Sequence, residues 1–199
     1  MKLIITESQY RLIVENEGEN LMDFTPFYQD FPPEMWDKVY LKIKKSEGIN
    51  YDGYYIKGNI DIRNSQVKEF KYLVKINGHF IGKRSEIENL GMLKKVNGEV
   101  NLSYTKNLKS LGKLEKVSFD LDLNNSNIED LGHLNEVGRS LDLRFTPNLK
   151  SLGKVSQTFA SDKFKIYVIN NLWVYNTGLS DEQIDKIKTW GRVKKDMID

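Results

Sequence analysis

The chain has 199 residues, 39 % apolar and 29 % charged, and its 30 basic and 28 acidic side chains leave a net charge of +2. That balance lacks the basic excess of a protein that neutralises phosphates, so no nucleic acid is expected as a partner. The absence of cysteine excludes disulfides, thiolate catalysis and cysteine-ligated zinc.

The opening stretch MKLIITESQYRLI carries one lysine and a short apolar run. The run is about half the length of a secretory h-region, or less, so a classical export signal is not expected. No apolar stretch approaches the ~20 residues of a membrane span. The expected location is therefore the cytoplasm of the host cell, or a particle assembled there. Thr6-Glu7-Ser8-Gln9 is a capping-box pattern for a helix running to about Asn16. Between residues 15 and 37 stand the acids Glu15, Glu17, Glu19, Asp23, Asp30, Glu34 and Asp37, with no base. Pro32-Pro33 predicts the start of a second helix, in which Trp36, Val39, Tyr40 and Ile43 share one face. That stripe suits the seal over the first coil of a repeat. Residues 1–50 thus form a helical, acidic segment and cap.

From residue 51 onward the sequence repeats itself. The phrase LDLNNSNIEDL (121–131) follows a template: apolar, x, apolar, x, x, hydroxyl, then an apolar residue two or three places on. Earlier copies run Ile60-Ile62-Ser65-Val67, Phe80-Gly82-Ser85-Ile87 and Val100-Leu102-Thr105-Leu108. Later copies run Leu141-Leu143-Thr146-Leu149 and Leu172-Val174-Thr177-Leu179. The second half of each unit recurs in phase, with Phe70, Leu90, Leu111, Leu131 and Leu152 followed by Leu73, Leu93, Leu114, Leu134 and Val155. Glycine follows the first of these at Gly91, Gly112, Gly132 and Gly153. The period is 20 or 21 residues, the extra residue falling in TKNL and TPNL. Alternating apolar residues point to one face of a strand, and such a unit buries that face only by stacking on its neighbours. The short period leaves room on the return side only for helical turns or 3₁₀ pieces. The hydroxyl column reads as a buried ladder satisfying turn amides. Gly82, at a core position, is the expected place for a kink or bulge.

The solenoid is expected to span residues 51–180. An insertion at 156–171 interrupts the period with Phe159, Phe164, Ile166, Tyr167 and Val168, either enlarging the last coil or serving binding. Ser180-Asp181-Glu182-Gln183 is a second capping box, predicting a C-terminal capping helix over 181–199 with Ile184, Ile187 and Trp190 on one face. Its other side is basic, with Lys186, Lys188, Arg192, Lys194 and Lys195.

The columns at 58–180 resemble the leucine-rich repeat, L-x-x-L-x-L-x-x-N, with Ser65, Ser85, Thr105, Ser126, Thr146 and Thr177 where that family places asparagine. The resemblance implies an α/β solenoid with a parallel sheet of about six short coils between helical caps, and a protein as partner. The opening KLIITESQYRLIVE and the closing TGLSDEQI resemble segments of proteins encoded by tailed bacteriophages and their bacterial hosts.

An enzyme is not expected. His79 and His133 fall on different columns, no phosphate loop or paired-carboxylate motif stands outside the repeat, and no cofactor or metal site is expected. The outward strand positions read Asp61, Ile81, Asn101, Asp122, Asp142, Trp173 and, two residues on, Arg63, Lys83, Ser103, Asn124, Arg144, Tyr175. Stacked Asp122 and Asp142 should repel, with Arg144 offsetting them. Aromatics stand where solvent is expected at Tyr104, Phe145, Trp173 and Tyr175, residue types enriched at interfaces. Tyr104, Asp122, Asp142, Arg144, Phe145, Trp173 and Tyr175 are therefore the candidate partner-binding residues, unless a cap covers the rings. The leading expectation is a non-enzymatic protein–protein interaction module. The alternative is a structural component of a phage virion, docked through the segment ENEGENLMDFTPFYQDF.

Overall fold

In a computed structural model, residues 20–48, 50–153, 166–189 and 191–195 are described. The expected helix at 6–16, most of the insertion and the last residues, Trp190 included, lie outside them. The chain forms a β-solenoid of about six turns with a period near 20 residues. Each turn contributes strands to two parallel sheets. Sheet A contains β1 (Leu21–Asp23), β2 (Gly53–Ile56), β4 (Leu73–Ile76), β6 (Lys95–Val96), β8 (Lys116–Val117), β10 (Glu136–Val137), β12 (Ile166–Val168) and β14 (Ile187–Thr189), in that order. Sheet B contains β3 (Ile60–Asp61), β5 (Phe80–Ile81), β7 (Val100–Asn101), β9 (Leu121–Asp122), β11 (Leu141–Asp142), β13 (Leu172–Trp173) and β15 (Val193–Lys194). Single bridges, Glu69↔Asn89, Ser110↔Asp130 and Asp130↔Ser151, mark a third side.

The template columns form the core. Leu121, Leu123, Ile128, Leu131, Leu134 and Val137 of one coil are all buried, as are Val100, Leu102, Leu108, Leu111, Leu114 and Val117 of the coil before and Leu141, Leu143, Leu149 and Leu152 of the coil after. The return side differs from the expected helical turns, because it carries sheet A. Leu93 and Val96, or Leu114 and Val117, are three residues apart, a spacing that also suits one turn of helix. Here the chain instead turns at a left-handed glycine and then extends (Gly91, φ 60°; Gly112, φ 58°). Gly82 produces no bulge: Phe80↔Val100 and Ile81↔Asn101 stay in register, and Leu102 fills the space a Cβ would take. The register shift in these sheets falls at Tyr54/Tyr55 in sheet A.

The hydroxyl ladder is buried at Ser85, Thr105, Ser126 and Thr146 and half-buried at Ser65 and Thr177, and it works differently from expectation. Ser85, Thr105 and Thr146 donate to the carbonyls of Gly82, Leu102 and Leu143, three residues back, at 2.7, 2.7 and 2.6 Å. These three hydroxyls thus close their own turns; among the described residues of the column, Ser65 accepts an amide, from Val67 at 3.4 Å. Ser126 Oγ is buried with no partner.

The N-terminal cap has the expected parts. Pro33–Met35 is a 3₁₀ turn leading into α1 (Trp36–Glu47), which ends at left-handed Gly48. Trp36, Val39, Tyr40 and Ile43 are buried, and the Trp36 ring stacks on Phe70 at 5.3 Å. Asp37 clamps the cap to the first coil, accepting from Tyr54 Oη at 3.0 Å and from the Lys71 amide at 2.7 Å. At the other end the capping box forms, with the Gln183 amide donating to Ser180 Oγ at 3.3 Å and the Ser180 amide to Gln183 Oε1 at 3.0 Å. The helix it starts, α2 (Asp181–Ile184), lasts one turn. Residues 187–189 and 193–194 then pair with β12 and β13, so among the described residues a further coil in both sheets follows the one-turn helix where a capping helix over 181–199 is expected. No helix among the described residues is long and apolar enough to cross a membrane.

Candidate functional site

The outward face of sheet B is built on one repeated turn. Asp61, Asn101, Asp122 and Asp142 each accept the amide two residues on, at 3.1, 3.1, 2.9 and 3.0 Å. Short side chains with an acceptor oxygen are favoured there because they close this local turn. The acidic column is therefore partly a structural device. The strand register places Asp122 beside Asp142 and Asp142 beside Trp173, as the columns require.

Asp142 is buried, and Arg144 neutralises it as a fork: Nε lies 2.9 and 3.1 Å from the two carboxylate oxygens, and Nη2 lies 2.6 Å from Oδ2. Asp61 and Arg63 make the same fork at the other end of the sheet. What distinguishes the C-terminal coils is aromatic. The Arg144 guanidinium lies 5.7 Å from the Trp173 ring centroid, and Phe145 meets Tyr175 edge-on at 5.2 Å. All three rings are half-buried and keep a solvent-facing part. Burial pushes the Asp122 carboxyl above its ordinary range and the Asp142 charge adds to this, against the Asn124 amide and the charges of Arg144 and Lys83.

Asp142, Arg144, Phe145, Trp173 and Tyr175 thus form one cluster, with Asp122 at its border. Tyr104 stands apart, two coils away. It is 38 % exposed, and its ring is flanked by Lys83 Nζ at 5.4 Å and the Arg84 guanidinium at 5.1 Å. Lys83 and Arg84 belong to this second, cationic patch and were not among the expected site residues.

The backbone at Tyr104 and Phe145 was also not anticipated. Asn64, Arg84, Tyr104, Asn125, Phe145 and Asn176 form a column with φ between 50° and 61°. Asparagine tolerates this left-handed conformation; bulky side chains incur about 1–2 kcal/mol there. The signal in the sequence is asparagine just before the hydroxyl at 64, 125 and 176, and its replacement by Arg, Tyr and Phe in the other three coils.

An open groove of about 1000 Å³ lies on the third side. Gly112, Gly132 and Gly153 line it with Lys113, His133 and Lys150, and the Lys109–Glu129 pair (3.0 Å) crosses it. It has no aromatic wall. Among the described residues no three His, Asp or Glu side chains gather in a metal-holding arrangement.

The segment expected as a separable sticker is partly core. Met22, Phe24 and Phe27 are buried, and β1 pairs with β2 in register. Residues 15–19 lie outside the described residues.

No protein family matches this chain, no curated protein is similar to it, and no solved structure matches its fold.

Proposed function

We propose that the protein is a non-enzymatic interaction module that binds a protein partner through the outward face of sheet B at its C-terminal coils. The observation that carries this reading is the Trp173–Arg144–Asp142 stack beside the Phe145–Tyr175 pair, with Phe145 held in a left-handed backbone conformation. A residue kept at a backbone cost, with its ring at the surface, points to selection for what the ring contacts. Tryptophan, tyrosine and arginine are the side chains that dominate binding at interface centres. Arg144 arrives already ordered by Asp142, so little side-chain entropy is lost on contact.

The test is a pull-down from lysate of the producing cell with the intact chain and a Trp173→Ala/Tyr175→Ala variant whose unfolding midpoint is measured beside it. A protein retained by the intact chain and lost by a folded variant supports the reading. Equal retention by both, or an unfolded variant, removes these rings from the binding role.

A further inference from the structure

The two sheets begin at different places. Sheet A starts with β1, before the cap helix; sheet B starts one turn later, with β3. After β1 the chain does not supply a strand to sheet B. It folds into tight turns at Phe24–Asp30, in which the Phe27 and Tyr28 amides donate to Phe24 O and the Asp30 amide to Phe27 O. Among the described residues, sheet B is therefore one strand short at this end.

The missing partner can be specified from the next coil. The carbonyls of His79, Ile81 and Lys83 accept the amides of Ile60, Ile62 and Asn64 at 2.8, 2.8 and 3.1 Å. Their counterparts one coil earlier are the carbonyls of Asn59, Asp61 and Arg63. These face the opposite way from β5, and no backbone donor reaches them among the described residues. The Asp61 amide is left on the same open edge. Beside it runs a groove of about 560 Å³, walled by Tyr28, Phe31 and Trp36 and floored by Ile60, with Asp30 and Asp61 on its rim.

We propose that this edge takes an extended peptide of a partner protein, added to sheet B as a parallel strand. Strand addition draws its affinity from main-chain hydrogen bonds and its selectivity from alternate side chains. Three peptide amides would donate to Asn59, Asp61 and Arg63, and the Asp61 amide would donate back. By the geometry of later coils, the first two donating amides belong to inward-pointing residues, as at Ile60 and Ile62, which meet the aromatic groove and must be apolar; the third belongs to the left-handed position, as at Asn64. The outward residues run beside the Asp61–Arg63 fork and face Asp30, whose charge favours a basic side chain. This site lies at the opposite end of sheet B from the Trp173 cluster and stands or falls independently of it.

The probe is a fluorescein-labelled peptide, Leu-Lys-Val-Lys-Leu-Lys-Val, titrated with the full chain by anisotropy. Binding is expected, with a loss of about tenfold when the apolar residues are N-methylated and none when the lysines are, because the lysine amides face away. In the chain, Asp61→Pro removes the edge amide without breaking a ladder bond and should weaken binding about tenfold, its folding checked by unfolding midpoint. Asp61→Asn keeps the amide and the turn and should bind like the unaltered chain. No binding at about 1 mM chain, equal binding of the two methylated peptides, or equal effects of the two Asp61 variants would overturn the proposal. So would concentration-dependent self-assembly of the chain alone that Asp61→Pro abolishes, since that outcome assigns the edge to a second copy.

Discussion

Two columns of left-handed residues run along this solenoid, and they are filled by opposite rules. On the third side the residues are glycine: Gly91, Gly112, Gly132 and Gly153, at φ 60°, 58°, 59° and 78°. On the sheet B side they are Asn64, Arg84, Tyr104, Asn125, Phe145 and Asn176, none of them glycine. The difference lies in what surrounds the turn. A Cβ on Gly132 would sit 2.4 Å from the Gly112 carbonyl oxygen, and one on Gly153 would sit 2.0 Å from that of Gly132. Coil stacking therefore demands glycine at Gly91, Gly132 and Gly153. On the other side the turn leaves room for any side chain, and only backbone preference argues for asparagine. Phe145 accepts that strain with its ring at the surface against Tyr175, which is why this pair carries the functional reading.

The comparison can be broken in several ways, the largest effect first. Gly132→Ala should cost about 3 kcal/mol, the sum of left-handed strain and a forced shift of the neighbouring coil, read by chemical denaturation. Gly112→Ala is the sharper test. Its Cβ would meet nothing within 4 Å, so the loss should be the strain alone, about 1 kcal/mol. Equal losses would mean that packing plays no part in the choice of glycine. On the other column, Tyr104→Asn and Phe145→Asn should each raise stability by about 1 kcal/mol, and Phe145→Asn should weaken partner binding at the same time. A stability loss at Phe145 would show that its contact with Tyr175 outweighs the strain.

Within the hydroxyl ladder, Thr146→Val should cost about 1 kcal/mol, because it leaves the buried Leu143 carbonyl without its 2.6 Å bond. Ser126→Ala removes a buried hydroxyl that bonds to nothing and should not lower the unfolding midpoint. The smallest effect is electrostatic. The Asp122 carboxyl is raised by burial, so the folded state holds its proton more tightly than the unfolded chain does. Stability from this group is present at low pH and is lost as pH rises through the folded value. Asp122→Asn keeps an oxygen for the Asn124 amide, as Asn101 does for Ser103, and should be the more stable chain at pH 7. The advantage should vanish well below the carboxylate range. An advantage independent of pH would assign the effect to packing.

Much of this was legible in the sequence, because a solenoid writes each structural demand once per coil. The core columns, the period, the left-handed glycines' position and the Trp36–Ile43 seal are all visible as repeated residue types. The second sheet was not, since Leu114 and Val117 fit a helical turn as well as a turned strand, and strands of two residues carry too little alternation to decide. The strands Ile187–Thr189 and Val193–Lys194 are illegible for a related reason: the capping box at Ser180 specifies where a helix starts, and nothing nearby specifies how long it lasts. Of the expected site, Asp142, Arg144, Phe145, Trp173 and Tyr175 come together because they share adjacent coils. Tyr104 does not, because a column position fixes direction and not distance along the axis. The open edge of β3 was invisible, for it depends on what Phe24–Asp30 fails to do.

The parallel pairing has a mechanical consequence. Every interstrand hydrogen bond in both sheets points from one coil to the next, so a pull applied along the axis loads one coil's few bonds at a time. The strands would peel in sequence, at modest force and with a long extension. A pull across the axis would instead shear all the coils together. As a tether the molecule is therefore compliant along its length and stiff across it.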